Sequence, residues 1–397
     1  MRGIHVFGAT FVTFGYPDTG RAHHLDVARA VLMLLGIPYH AAMPYRLGQP
    51  WINGPVPGAP GFATLAEAIH MMRMPAFFVV AGWFAALLLA RNSAATWWRG
   101  RLVRLGVPLL ASLVTLVPLL NLACEWPQRP WPAALASFAH EYATSPGYWV
   151  RHLWFLIVLL QLSSLCVLAC LARPHLRTAT LPDRLDAALA RRPGLWLAAA
   201  ALVIAACEAG TIEAFYALGL AGAVWQQALR LDDLLAALPF FTLGLLLARA
   251  PRAMAAFERP GIAMAAVALG AAALHLALLN RVHPALGRAL AAIAAVTVTR
   301  VLLAACRRWF DRPSRTVDAL VAASFPIYLV HLGVVVALVS LCDAAGVGAW
   351  AAFPLVCLGT LALSWAFARL TLRVPLLALL YAGRPFSRSA APPAPRT

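Results

Sequence analysis

Long apolar blocks alternate along the chain with short segments that contain arginine, proline and glycine. Each block is about 20 residues long, the length at which an α-helix crosses the hydrocarbon core of a bilayer. The pattern therefore predicts ten membrane-spanning helices. The predicted spans are residues 27–45, 74–91, 102–123, 153–172, 194–208, 234–249, 260–280, 287–306, 324–342 and 347–368.

One further segment, residues 211–229, is apolar enough to be considered as an eleventh span. It is interrupted by Gln226 and Gln227, and we interpret it as an outer loop with helical or re-entrant character. An eleventh span would move the arginines near the C-terminus to the opposite side of the membrane from the other arginine-rich segments, which argues against it.

The composition indicates the same fold class. Hydrophobic residues make up 62% of the 397 residues and charged residues 12%, which is about half the charged fraction of a typical soluble protein. A soluble fold would leave a large apolar surface exposed to water. We therefore predict an all-α polytopic integral membrane protein that lies in the lipid bilayer with about ten transmembrane helices.

The chain is strongly basic, with a net charge of +17, and all 32 basic residues are arginine. The arginines stand in short loops rather than on one soluble face, so no nucleic-acid partner is predicted. They follow the positive-inside rule instead. The connections after spans two, four, six and eight are rich in arginine and are predicted to be cytoplasmic. With ten spans, both termini are then cytoplasmic.

This topology divides the chain into three parts. Residues 1–24 form a cytoplasmic N-terminal extension, residues 25–370 the transmembrane domain, and residues 371–397 a cytoplasmic tail. The tail ends in SAAPPAPRT, a composition that cannot build a core and is typical of disorder.

The first span contains two ionisable residues, Arg29 and His40, within a mostly apolar run. Eleven residues separate them, close to three helical turns, so that both face the same way about 16 Å apart. Pro38 is predicted to kink the helix just before His40. Ionisable residues inside a span are costly and commonly functional, and histidine titrates near neutral pH. We interpret His40 as a catalytic base and Arg29 as its catalytic partner; a structural core histidine is the alternative.

An arginine pair opens the third span. Arg101 and Arg104 are three residues apart and share one helix face. At a helix N-terminus on the cytoplasmic side, they can hold the phosphates of an anionic donor. Anchoring of the span by positive charge is the alternative interpretation.

The ninth span contains a second ionisable pair, Tyr328 and His331, about 10 Å inside its predicted cytoplasmic boundary. We interpret both as donor-binding residues. A hydrogen bond between helices is an equally good explanation of a polar pair in a span.

Four residues near the predicted outer ends of spans are candidates for binding an acceptor. Arg73 precedes span two, His152 and Trp154 flank the start of span four, and Glu208 ends span five. Aromatic rings can stack on a sugar, and a carboxylate can accept hydrogen bonds from its hydroxyls. Interface belts of aromatic residues and snorkelling arginines would give the same pattern.

The sequence predicts no metal site and no bound cofactor. The seven cysteines are scattered without a CxxC pair, and the chain contains no Walker loop, HExxH or GxSxG motif. ATP-driven transport and metalloproteolysis therefore have no support.

Seven blocks resemble, in order, the membrane acyltransferase-3 family. They are LDVARAVLMLLGIPYH, RMPAFFVVAGWF, WWRGRLVRLGVPLL, HLWFLIVLLQL, LPFFTLGLLLA, SFPIYLVHLGV and RVPLLALLYAGRP. The first and last resemble in particular the branch that attaches succinyl groups to osmoregulated periplasmic glucans. Arg29 and His40 match the family's first functional motif, Arg101 and Arg104 match its arginine pair, and His331 falls in its late IYL-x-H block.

The resemblance implies a multi-pass enzyme of the bacterial inner membrane that transfers an acyl group from cytoplasmic acyl-CoA to an acceptor outside. Succinyl-CoA is the implied co-substrate, hydroxyls of a periplasmic glucan are the implied acceptor, and glucan synthesis proteins are implied partners. Direct attack on the thioester and a two-step route through an acyl-histidine both stay open. The free carboxylate of a succinyl group would require a cation, for which Arg73 and Arg151 are candidates.

Three other functions stay open beside this one. The first is O-acetylation of another surface glycan. The second is transport of a carbohydrate or lipid intermediate, in which buried histidine and arginine line the pathway. The third is a scaffolding subunit in which the histidines only pack. Only the transferases release CoA and add mass to a glycan.

Overall fold

A computed structural model describes residues 22–52, 54 and 56–385, and nearly all of them are helical. The helices are α1 (His23–Leu34), α2 (Gly36–Ala42), α3 (Phe62–Arg91), α4 (Ala94–Arg101), α5 (Val107–Val114), α6 (Leu116–Glu125), α7 (Trp131–Thr144), α8 (Pro146–Val150), α9 (Trp154–Ala172), α10 (Asp183–Arg191), α11 (Pro193–Ala217), α12 (Val224–Leu229), α13 (Leu231–Ala248), α14 (Pro251–Phe257), α15 (Ile262–Ala277), α16 (Pro284–Phe310), α17 (Arg315–Ala344), α18 (Ala349–Arg373) and α19 (Pro375–Ala382). In these ranges the only β-type pairing is one isolated bridge between Trp51 and Gly54.

Nine helical segments of the described ranges are long and apolar enough to cross a membrane. A tenth is formed if α14 and α15, which meet at an angle of 72°, are counted as one span. The nine are His23–Tyr45, Phe62–Arg91, Ala94–Glu125, Gly147–Ala172, Pro193–Ala217, Val224–Ala248, Pro284–Phe310, Arg315–Ala344 and Ala349–Arg373. The predicted all-α polytopic architecture is confirmed.

Two helices begin well before the apolar blocks that predicted them. Helix α3 begins at Phe62, twelve residues before the predicted start at residue 74, and α17 begins at Arg315, nine residues before residue 324. The hydropathy pattern finds the part of a helix that faces lipid, whereas the polar part of α3 faces the inside of the bundle. Arg73 therefore lies inside α3 rather than before its first residue. His331, which was predicted inside span nine, lies sixteen residues after the start of α17.

The segment 211–229 is helical but does not form a span of its own. Helix α11 continues through Ala217, a 3₁₀ turn covers Leu220–Gly222, and α12 leads into α13. Helices α12 and α13 together form the single candidate span Val224–Ala248.

The chain ends of the transmembrane domain are folded into it. His23 and His24 belong to α1, so the predicted domain boundary at residue 24 falls inside a helix. Helix α19, which lies in the predicted tail, packs against α5 and places the Tyr381 hydroxyl 3.0 Å from that of Thr115. The predicted disordered end, residues 389–397, lies outside the described residues.

The arginine-rich connections after spans two, four and six meet on one side of the bundle. Arg177 donates a hydrogen bond to the carbonyl of Asn92 (3.3 Å), and Arg249 donates one to the carbonyl of Leu176 (2.6 Å). We name this side, marked by Asn92, Arg177 and Arg249, the arginine-rich face. Its position on the cytoplasmic side stays a prediction from loop charge.

A buried histidine joins three helix ends at the same face. His24, at the start of α1, lies 2.7 Å from the Glu258 carboxylate through Nε2 and 2.8 Å from the Asp311 carboxylate through Nδ1. Arg307 of α16 pairs with the same Glu258. We name these four residues the histidine tie. Both ring nitrogens of its histidine have partners, so the group holds the ends of α1, α14 and α16 together.

Helices α3 and α13 approach until their backbones touch. A Cβ atom added at Gly82 would lie 2.0 Å from the Phe241 carbonyl oxygen, and one added at Gly244 would lie 1.9 Å from that of Val79. Each glycine therefore points a Cα–H bond at a carbonyl of the other helix, a weak hydrogen bond that recurs at close helix contacts. No other residue type fits at either position without moving the helices apart.

Candidate active site

The first span is broken in front of His40. Helix α1 ends at Leu34 and α2 begins at Gly36, with Leu35 between them. The ring of a proline clashes with the carbonyl of the residue four positions earlier, which for Pro38 is Leu34. The helix is therefore interrupted one turn before the proline, at Leu35. A kink just before His40 stays a prediction. The break directs His40 toward the inside of the bundle, where its ring centroid lies 5.2 Å from that of His331.

Two further histidines surround this position. His331 is only 1% exposed and lies about 24 Å along α17 from the first residue of that helix. Its depth below the cytoplasmic boundary stays a prediction. The ring of His152 lies 5.4 Å from that of His331. His152, predicted at an outer interface, is buried against α17. The structure thus brings together three histidines with different predicted roles: His40 as a catalytic base, His331 in donor binding and His152 in acceptor binding.

The backbone of α17 fixes the orientation of two of these rings. His331 donates from Nδ1 to the Tyr328 carbonyl at 2.7 Å, which leaves a lone pair on Nε2 of the neutral ring. His152 Nε2 lies 3.2 Å from the carbonyls of Tyr328 and Leu329. The Tyr328 hydroxyl donates to the His152 carbonyl at 2.5 Å. Tyr328 therefore positions both histidines.

Each of the three histidines retains one buried ring nitrogen without a hydrogen-bond partner among the described residues. These atoms are Nδ1 of His40, Nδ1 of His152 and Nε2 of His331. Buried polar atoms without partners are rare, because leaving one unpaired costs about 1–3 kcal/mol. Three of them in one place indicate a site that a ligand completes.

Arg73 adds a buried positive charge to the same place. Its side chain is 6% exposed, its Nε atom has no partner, and its guanidinium lies 5.0 Å from the centre of the Tyr39 ring. Among the described residues, no carboxylate lies within 4 Å of it. A buried charge without a counter-ion is strongly unfavourable, so this position favours an anionic or partly anionic ligand.

Gly36 leaves the space in which these groups converge. A Cβ atom added there would lie 3.1 Å from Arg73 Nη1 and also 3.1 Å from His331 Nε2. Any side chain at position 36 would therefore push the arginine and the histidine away. We name His40, His152, His331 and Arg73 the histidine cluster.

A second group of polar residues, the arginine cluster, consists of Arg29, Arg101 and Arg104. Their charges are close enough to repel one another. Arg29 pairs with Asp26 at 3.3 Å, and the Arg101 guanidinium lies 5.2 Å from the centre of the Trp97 ring. Helical spacing predicted that Arg29 and His40 face the same way. It did not predict that Arg29 lies near Arg101 and Arg104.

The backbone at the arginine cluster departs from a regular helix. A π-helical turn covers Leu102–Gly106, between α4 and α5, and includes Arg104. Such turns occur often at functional sites. The Nε atom of Arg101 is buried without a partner. Repelling cations with an unpaired donor indicate a place where an anion binds.

Two predicted acceptor-binding residues lie outside both clusters. Trp154 packs against the main apolar core. Glu208 is half-buried near the end of α11 and interacts electrostatically with Arg288 and Asp233. Arg151, the other candidate for a carboxylate, donates from Nε to Asn121 at 2.6 Å and lies over the Tyr148 ring.

Sequence analysis missed Gly36, Tyr39 and His70 as parts of the site. The ring of Tyr39 stacks on that of His70 with centroids 5.3 Å apart and meets His40 edge-on at 4.7 Å. A signal was present in the spacing of Glu67, His70 and Arg73. Residues three apart share one face of a helix, and such a polar face in front of an apolar block indicates a helix that lines a polar interior.

The fold is that of a multi-pass membrane protein. The two clusters are candidate sites for acid–base chemistry and for anion binding inside the helix bundle. The sequence model of the acyltransferase-3 family, described as an acyltransferase domain, matches residues 23–369. This match covers most of the chain, and the protein belongs to that family. Its long apolar helices make it a multi-pass membrane protein.

Part of the chain is also similar to proteins called glucans biosynthesis protein C. The proteins of that name from Shigella dysenteriae serotype 1 and from Escherichia coli O1:K1 are both 35% identical to it over 154 residues. The aligned stretch covers 37% of this chain and 38% of each relative, well under two thirds of their length. No solved structure matches the chain.

Proposed function

We propose that this protein is an O-acyltransferase of the bacterial inner membrane that transfers a succinyl group from cytoplasmic succinyl-CoA to hydroxyls of a periplasmic glucan. The observation that carries the proposal is the histidine cluster, in which three ring nitrogens and a buried guanidinium have no partner in the described residues. The resemblance to glucan biosynthesis proteins supports the acceptor.

His40 is our candidate for the base, because it is the half-buried member of the cluster and can meet a substrate. Its Nε2 atom takes the proton of the acceptor hydroxyl as the oxygen attacks the thioester carbonyl. The ring then carries a proton on both nitrogens. The inward Nδ1–H can donate to the lone pair on Nε2 of His331, since such bonds often tighten only when substrate is bound.

The arginine cluster is our candidate for the donor site. Acyl-CoA carries several phosphate charges, which match three neighbouring cations near the predicted cytoplasmic side. Arg29, placed beside the arginine pair, then serves donor binding rather than proton transfer. The histidine cluster lies deeper in the bundle, so the thioester end of a bound donor extends toward His40.

Arg73 favours a donor whose acyl group is charged. It is buried next to His331 and lacks a carboxylate partner within the described residues, so the free carboxylate of a succinyl group would compensate its charge. Arg151 is less suited, because Asn121 already accepts its Nε–H. An acetyl group would leave Arg73 uncompensated, which is why we rank O-acetylation of another surface glycan second.

The proposed reaction is balanced without a metal or a redox partner. A carbon–oxygen bond forms between the hydroxyl and the acyl carbonyl carbon, and the carbon–sulfur bond of the thioester breaks. The proton taken by His40 returns to the sulfur and gives free CoA. The products are a glucan ester and CoA. A route through an acyl-histidine gives the same products in two steps.

The test is mass spectrometry of periplasmic glucans from a deletion strain. The strain is complemented with the wild-type gene or with His40→Ala at matched membrane levels. We expect the wild type to restore a succinyl mass increment and His40→Ala to reduce it about 100-fold or more, the range that general-base catalysis supplies.

Other outcomes would select an alternative. An acetyl increment would identify the O-acetyltransferase. Movement of unmodified glycan without release of CoA would identify a transporter. Full activity of His40→Ala would overturn the role of His40, and a wild type that adds no acyl group would overturn the glucan assignment.

A further inference from the structure

A polar cavity of about 260 Å³ adjoins the histidine cluster. Its lining includes Tyr39, Arg46, Glu67, His70 and Asn280. These residues come from the end of the first span, the first turns of α3, and the connection between α15 and α16. None of the sequence-predicted sites includes this cavity.

The cavity lies toward the side of the bundle opposite the arginine-rich face. The first span begins with His24 at that face and ends at Tyr45, and Arg46 of the lining follows directly. Asn280, which lines the cavity where α15 is joined to α16, has a left-handed backbone with φ of 59°. Asparagine tolerates this conformation. Under the predicted topology, the cavity is on the acceptor side.

Tyr39 belongs both to the cavity and to the surroundings of the catalytic base. The centroid of its ring lies 5.3 Å from that of His70, which is in the cavity lining. It lies 4.7 Å from that of His40. Arg73 lies over the same ring. A ligand in the cavity is therefore one aromatic side chain away from His40.

The lining matches a ligand that carries several hydroxyl groups. Glu67 accepts a hydrogen bond from His275 at 2.8 Å through one carboxylate oxygen, which holds the carboxylate in place. Arg46 donates from Nε to the carbonyl of Met43. Its terminal nitrogens have no partner among the described residues and can act as donors. Carboxylate, guanidinium and amide groups at fixed positions discriminate strongly in favour of ligands that pair with them. An acyl chain would leave these groups unpaired.

The volume indicates how much of a glycan the cavity can hold. Pockets that enclose a drug-sized ligand measure roughly 300–1,000 Å³, so a cavity of about 260 Å³ suits one sugar ring rather than an oligosaccharide. The stacked rings of Tyr39 and His70 form one wall of this space. The rest of a glucan chain would stay outside the bundle.

We propose that this cavity is the acceptor subsite, which binds one sugar residue of the glucan and directs a hydroxyl group past Tyr39 to His40. The inference rests on the proposed acyl transfer. It adds where the acceptor binds and that the protein recognises one sugar residue of it. Glu67 and Arg46 bind the hydroxyls in this assignment, and Ala63 and Ala66 form part of the wall.

The experiment compares two equal additions of bulk on neighbouring residues of α3. Ala63 lines the cavity, whereas Thr64 is exposed and does not line it. Ala63→Phe and Thr64→Phe are purified in lipid nanodiscs beside the wild type. Each is assayed with succinyl-CoA and with unsubstituted glucan prepared from the deletion strain. A second measurement follows hydrolysis of succinyl-CoA without glucan.

We expect Ala63→Phe to raise the KM for glucan about tenfold or more, the effect of losing roughly one good set of polar contacts, with donor hydrolysis unchanged. Thr64→Phe should match the wild type in both assays. Glu67→Gln should raise the same KM about fivefold through loss of a charged hydrogen bond, and Glu213→Gln on α11 serves as its control.

The outcomes separate the two proposals. Suppose that the wild type acylates glucan and that Ala63→Phe and Glu67→Gln have the same KM for glucan as the wild type. The cavity is then not the acceptor subsite, while the proposed function stands. If all proteins hydrolyse the donor and none acylates glucan, the proposed acceptor is wrong. A loss of donor hydrolysis in Ala63→Phe alone would assign the cavity to the donor and overturn the inference.

Discussion

His24 and His331 are buried histidines at two depths of the same helix bundle, and their ring nitrogens have different partners. In the histidine tie, both nitrogens of His24 meet carboxylates. In the histidine cluster, His331 uses one nitrogen for a backbone carbonyl and leaves the other unpartnered. The first arrangement is complete without a ligand and the second is not. Burial alone therefore does not distinguish a structural histidine from a candidate chemical one. The partners of both ring nitrogens, and whether unpartnered nitrogens converge on one place, have to be compared as well.

The charges around the two histidines differ in the same way. The tie balances His24 and Arg307 with two carboxylates. The cluster contains Arg73 and three histidines with no carboxylate paired to them in the described part of the chain. A balanced group stabilises the apo protein, whereas an unbalanced cationic group attracts negative charge that a substrate or transition state brings.

The largest expected effect is the loss of the unpartnered nitrogen in the cluster. We expect His331→Ala to lower kcat about 100-fold while KM for glucan changes little, because protonated His40 loses its acceptor. The measurement is the acyl transfer rate across pH, since a positioning role also shifts the acidic limb of the pH–rate profile. An unchanged profile together with reduced folded protein would instead assign His331 to packing.

The next largest effect is expected at Arg73, whose buried positive charge has no carboxylate partner among the described residues. Arg73→Lys keeps the charge and removes the planar guanidinium, so we expect the ratio of succinyl to acetyl transfer to fall about tenfold, within the range for a charged hydrogen bond. Competition between the two CoA esters measures this ratio directly. Arg151→Lys is the matched control, and an equal change in both variants would remove the assignment of Arg73 to the succinyl carboxylate.

A substitution in the histidine tie should lower the stability of the protein and leave the acyl transfer rate unchanged. We expect His24→Gln to lose about 1–3 kcal/mol of unfolding free energy, because it leaves Glu258 or Asp311 less well paired at a buried site. Thermal unfolding in detergent measures the loss, and the acyl transfer rate per folded molecule should stay at the wild-type value. A reduced rate with unchanged stability would place His24 in the chemistry and contradict the comparison.

The smallest effect is a pH dependence at the tie. Burial raises the pKa of Asp311, but the hydrogen bonds and charge of His24 lower it by more, and the net pKa lies below its usual value. A carboxyl with a lowered folded pKa stabilises above its unfolded pKa of about 3.9, and this stability is lost as pH falls through the folded value. Asp311→Asn should therefore flatten the loss of thermal stability below about pH 4. An acid profile as steep as that of the wild type would show that Asp311 does not contribute; screening of this partly exposed carboxylate keeps the effect small.

Hydropathy predicted the spans because lipid contact selects apolar residues over about 20 positions. It failed at Glu67, His70 and Arg73, because the start of α3 faces polar neighbours within the protein. Hydropathy also placed the start of the helix that carries His331 nine residues too late. Which residues meet in space follows from packing, so the sequence could nominate His40, His152, His331 and Arg73 separately without predicting that they form one cluster.

The backbone contacts that Gly82 and Gly244 make across α3 and α13 restrict how α3 can move. Two touching backbones act as a fixed pivot, and Arg73 is carried on the same helix about 14 Å from that pivot. A side chain at position 82 would tilt α3, and the tilt would displace the guanidinium by a larger distance than it displaces the pivot. The position of Arg73 thus depends on two residues that bear no functional group at all. We expect the motion that admits substrates at the first span, where the helix is interrupted at Leu35 and which carries the proposed base His40.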